Sequence, residues 1–101
     1  MSVDTFEASL QHAKPPEDWS HALQALWWDT RGDWDKAHSL VQIDEADRQC
    51  AWVHAYLHRK EGDLSNAAYW YKRSGHPVAS GSLTHERQLI AGSLLGSSPP
   101  E

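Results

Sequence analysis

Gly32-Asp33-Trp34-Asp35-Lys36-Ala37 and Gly62-Asp63-Leu64-Ser65-Asn66-Ala67 are two copies of one phrase, the second beginning 30 residues after the first. Each has the chemistry of a turn between two helices. Glycine takes the left-handed conformation that ends a helix without the penalty a Cβ would bring. The aspartate beside it can accept a hydrogen bond from the free amides that open the next helix. Two such elbows predict two helical hairpins and an all-α fold.

The flanking patterns agree. Before the first elbow, Trp19, Ala22, Leu23, Leu26 and Trp27 recur at helical spacing and form one apolar stripe, with Trp28 pointing away from it. Glu17 and Asp18 precede the stripe, where acidic residues suit the positive end of a helix dipole. After the elbow, Trp34, Ala37, His38 and Val41 make the inward stripe of a third helix. Asp44-Glu45-Ala46-Asp47 reads as the start of a fourth, which runs to about Glu61. Ala46, Cys50, Val53 and Leu57 share a face of it, with Trp52 and Tyr56 beside them and the small Ala51 and Ala55 opposite. Such a helix packs between neighbours on both sides. Past the second elbow, Leu64, Ala67, Ala68 and Tyr71 form the fifth stripe, ended by Gly75 and Pro77.

At the N-terminus Val3, Phe6, Leu10 and Ala13 predict a helix stopped by Pro15-Pro16. At the other end Ser80-Gly81-Ser82 predicts a loop, and Thr84 a cap for a last helix with Leu89, Ile90 and Leu94. The sum is an antiparallel array of about six helices in one domain, residues 1–95. It has hairpins at 18–43 and 46–75, a C-terminal helix at 84–95 and a disordered tail at 96–101.

Composition narrows the function. A net charge of −5 disfavours nucleic acid and anionic membranes, both of which select basic surfaces. No apolar run reaches the ~20 residues of a membrane span. Cys50 is the single cysteine, so no disulfide closes within the chain, and the N-terminus has no secretory leader pattern. A cytoplasmic protein is the expectation. Six tryptophans stand beside one phenylalanine and one methionine, enough large rings to fill much of a small core or to line a partner surface.

Gly32 with Ala37 and Gly62 with Ala67, each on a helix–turn–helix unit, resemble the tetratricopeptide repeat. That resemblance implies that each glycine ends a first helix and each alanine lets the second helix pack closely. Asn66-Ala67-Ala68-Tyr69-Trp70-Tyr71-Lys72 is similar to the second helix of the related Sel1-type repeat. The likeness spans about residues 19–75, with a period of 30 against the ~34 of the family. Flanking helices would then act as caps. Residues 52–71 also resemble small bacterial proteins of this repeat-like kind, a likeness that carries no activity with it.

Two kinds of site are expected. Trp28 and Trp70 fall off their stripes, and with Trp34, His38, His54 and His58 they form a candidate surface for a protein or peptide, or for a second copy in a homodimer. A non-catalytic binding module with no cofactor is the leading expectation. The second is a small metal-binding protein or enzyme. His54, His58 and Glu61 share a face at i, i+4 and i+7, a spacing that can place two imidazoles on one ion, and an antiparallel third helix brings His38 toward them. Cys50 lies on an inward stripe and reads as a small apolar residue rather than a nucleophile.

Overall fold

The computed structural model describes residues 3–95, and the tail at 96–101, like the side chains of Val3 and Asp4, lies outside them. Both elbows form as their residues require. Gly32 and Gly62 have φ of +96° and +91°. Asp33 accepts from the Lys36 amide and Asp63 from the Asn66 amide, at 3.0 and 3.3 Å. The Asp33 and Asp63 amides bond back to the carbonyls of Trp28 and His58, each at 2.9 Å, so the two turns close in the same way.

Among the described residues there are six helices and no strand: α1 Val3–Ser9, α2 His21–Thr30, α3 Trp34–Ile43, α4 Arg48–Glu61, α5 Leu64–Ser74 and α6 Leu83–Leu95. None of these six helices is long and apolar enough to cross a membrane. The side-chain pairs give the directions. Lys36 lies over the Trp28 ring, Trp34 reaches Leu57 and His38 reaches His54, and His54 stacks on Trp70. Early residues of α3 therefore meet late residues of both α2 and α4, and the tight turn at Gly62 folds α5 back along α4, so α2 to α5 run antiparallel.

α4 is the central element. Every residue from Cys50 to His58 is buried, as expected for a helix with small residues on one side and large ones on the other. α2 and α3 cover one flank of it, and α5 another. α6 returns across the array to pack on α1, α2 and α4. Glu86 fastens it there, accepting from Arg59 of α4 at 2.8 Å and from the Tyr71 hydroxyl of α5. Trp27 is fully buried and donates its indole N–H to the Ser9 carbonyl at 3.2 Å, which pins α1 to α2.

Several boundaries differ from those the sequence predicts. α2 starts at His21 rather than at Glu17-Asp18, because the Ser20 hydroxyl caps the Leu23 amide at 3.2 Å. Trp19 consequently precedes the helix and stacks flat on Phe6 at 6.1 Å. α1 ends at Ser9, whose hydroxyl bonds back to the Phe6 carbonyl, well before the proline pair. Thr84 lies inside α6, and Ser82 is the cap, accepting from the His85 amide at 3.0 Å. Ala46 falls before α4, where Asp47 is the cap. Leu64 and Ala68, expected on the apolar stripe of α5, are exposed, as is Leu89 of α6, since no further helix among the described residues covers those sides of α5 and α6.

Candidate metal centre

The spacing of His54 and His58 places both imidazoles on the face of α4 that meets α3. His38 stands in the second turn of α3, opposite them because the two helices run antiparallel. Its Nε2 lies 3.0 Å from His54 Nε2. One ring nitrogen from each of His38, His54 and His58 falls within 4.8 Å of the other two. His54 and His58 are buried, and His38 is half-buried.

Aromatic side chains hold the rings in place. Trp34 stacks on His38 with ring centres 4.8 Å apart, and its indole N–H is tied to the Leu57 carbonyl at 3.0 Å. Trp70 of α5 stacks on His54 at 3.9 Å. His58 Nδ1 meets a carboxylate oxygen of Glu61 at 2.7 Å, which leaves Nε2 as its free nitrogen. A carboxylate behind a ligating imidazole fixes its tautomer and raises its basicity. His54 Nδ1 is buried with no hydrogen-bond partner among the described residues.

Burial and neighbouring rings disfavour the protonated forms of His38 and His54. Burial, followed by the neighbouring His38 and His58, pushes His54 down to about 3. His38 is also lowered, first by burial and then by His58. Neutral imidazoles are the form that binds metal. Without an ion, one of the two facing Nε2 atoms must donate and the other accept. A tetrahedral zinc with bonds of about 2.0–2.1 Å sets its nitrogen ligands roughly 3.3 Å apart. The 3.0 Å separation of His38 and His54 is a few tenths of an ångström from that spacing.

The structure thus gathers Trp34, His38, His54, His58 and Trp70 into one cluster, with Glu61 at its edge. Trp28 is not part of it. That ring is half-buried, edge-on to Trp27 at 4.9 Å and covered by Lys36 at 4.2 Å. Trp70 is buried rather than displayed. Cys50 is buried too, and its thiol is pushed up to about 12, by burial first and then by Asp47, far from a reactive thiolate. Two polar clusters went unread in the sequence, Asp29 with Lys60 and Glu86 with Arg59 and Tyr71. Asp29 and Lys60 lie 31 residues apart and Arg59 and Glu86 27, so no local spacing announces them. Comparison with known protein families, curated proteins and solved structures finds no match to this chain. The functional reading rests on the side chains alone.

Proposed function

We propose that this protein binds one divalent transition-metal ion of the zinc class through His38, His54 and His58. The observation that carries the reading is the convergence of three imidazole nitrogens from two helices within 4.8 Å of one another. Imidazole donors suit zinc, copper and nickel better than calcium or magnesium. Three protein ligands leave a fourth position for water or another donor. Because His38 belongs to the first hairpin and the other two ligands to the second, the ion ties the hairpins together.

Calorimetric titration of untagged protein with zinc chloride tests this. The expected result is one ion per chain and a raised melting temperature, since an ion at a hundred times its Kd adds about 2.7 kcal/mol to stability. His38→Ala should weaken binding at least tenfold, while His12→Ala, outside the cluster, should leave it unchanged. Absence of heat and of any melting shift with zinc, copper or nickel would remove the proposal.

A second reading, a protein-binding or self-association module, is favoured by a different observation. Leu64 and Tyr69 on α5 and Val78 just after it are 65%, 52% and 61% exposed. The paired hairpins with matching elbows support a tetratricopeptide-like scaffold for such a role. Light scattering over a dilution series tests self-association, and a monomer at every concentration ends the homodimer form of it.

A further inference from the structure

We infer that the space between α2, α4 and the start of α6 is a binding site for a small oxyanion, the carboxylate or phosphate group of a small molecule. A cavity of about 260 Å³ lies there, lined by Asp29, Tyr56, Lys60, Leu83, Thr84 and Arg87 among others. Drug-sized ligands occupy roughly 300–1,000 Å³, so this one suits a smaller guest.

The cavity walls carry more donors than acceptors. Asp29 is buried, and both its oxygens are held by the Lys60 ammonium at 3.1 Å, so these two charges largely answer each other. The Arg87 guanidinium remains. Its one ion pair among the described residues, with Glu7, is long at 3.4 Å, and the Glu7 side chain is 41% exposed. Arg87 Nε is buried and has no hydrogen-bond partner among the described residues. Tyr56 is only 3% exposed, and its hydroxyl makes no hydrogen bond among the described residues. That hydroxyl is pushed up to about 12, by burial first and then by the charge of Asp29, with Arg87 opposing, so it keeps its proton and remains a donor.

The helix end adds its own contribution. α6 is 13 residues long, and its cap, Ser82, takes the His85 amide. The preceding amides of Leu83 and Thr84 have no acceptor among the described residues. Open amides at the positive end of a helix attract anions. An oxyanion in the cavity supplies acceptors to the Arg87 and Tyr56 donors and to these amides together. A buried donor left without an acceptor is costly, and an anionic acceptor makes the stronger hydrogen bonds.

Two-dimensional NMR of the full chain, titrated with potassium phosphate and separately with sodium acetate at ionic strength held constant with chloride, reads the site. Saturable shifts at the Leu83 and Thr84 amides are expected with at least one anion. The tighter of the two identifies the group as phosphate-like or carboxylate-like. Tyr56→Phe removes no bond from the free protein, so it should fold with an unchanged melting temperature. It should bind about tenfold more weakly, the effect of one lost hydrogen bond to a charged group. Arg87→Gln should weaken binding further, and if that chain does not fold, Tyr56→Phe carries the test by itself. The inference is overturned if neither anion gives a saturable shift, or if Tyr56→Phe binds as the parent does. A Tyr56→Phe chain that fails to fold overturns it as well, because the hydroxyl would then be bonded within the protein.

Discussion

The two elbows begin alike and end differently. Gly32 and Gly62 turn in the same way, and the alanines five residues on, at 37 and 67, are both buried. Val41 and Tyr71, one turn further along, are buried as well. Between these positions the match fails. Trp34 bonds to α4 and stacks on His38, whereas its counterpart Leu64 is 65% exposed. His38 meets His54, whereas its counterpart Ala68 faces solvent. The cause is position in the array. α3 has α4 on its second side, and α5 has no further hairpin there, because α6 turns back onto α1, α2 and α4. The same turn chemistry therefore yields a packed seam in one hairpin and an open face in the other. The histidine centre belongs to the seam.

Substitutions can break that contrast or sharpen it. The largest effect is expected at the seam. Trp34→Ala removes a half-buried ring and its bond to Leu57, and should cost about 3 kcal/mol in urea unfolding. A loss as small as that of a surface change would mean that α3 and α4 are not held together there.

Acid should act on the seam next. His54 is depressed from 6.5 to about 3 in the folded protein, so between these values the unfolded chain binds the extra proton. Its contribution is present above pH 6.5 and is lost as the pH falls toward 3, with a slope approaching about 1.4 kcal/mol per pH unit. Stability measured as the pH is lowered from about 6.5 to about 5 should show this slope, and His54→Leu should flatten it. An equal slope in the variant would place the linkage on other groups.

The elbows themselves should respond equally. At both Gly32 and Gly62 a Cβ would meet no atom within 4 Å, so only the left-handed backbone resists it. Gly32→Ala and Gly62→Ala should each cost about 1–2 kcal/mol. A clear inequality between them would show that the turns differ in their own geometry and not only in how the helices after them are packed. The smallest effect is expected at the open face. Leu64→Ala should change monomer stability by less than about 0.5 kcal/mol. A larger loss that grows with protein concentration would reveal a covered face and favour self-association.

Much of this was legible in the sequence. The glycine and aspartate of each elbow act through their own backbone and the next few amides, so their roles come from local chemistry. The buried run of α4 comes from the spacing of Cys50, Ala51, Val53, Ala55 and Leu57. The pairing of His54 with His58 is a matter of helix geometry, and their approach to His38 is assured once α3 and α4 are antiparallel. Where two nearby signals compete, local pattern does not choose between them. The Ser20 hydroxyl caps the helix that Glu17-Asp18 were expected to open, because a direct hydrogen bond to a free amide outweighs a diffuse dipole term, and Ser82 caps the last helix in place of Thr84, a second hydroxyl two residues away with the same capping chemistry.

By itself, then, the chain's order of residues determined an all-helical fold with two glycine-hinged hairpins and a histidine-bearing central helix, since those properties depend on contacts within a few residues. The tertiary structure alone decided that Trp70 is buried against His54, that Leu64 is left bare, and that Arg59 meets Glu86 and Lys60 meets Asp29. Each of those depends on which helix lies alongside, and the direction in which α6 returns is not written in any local pattern.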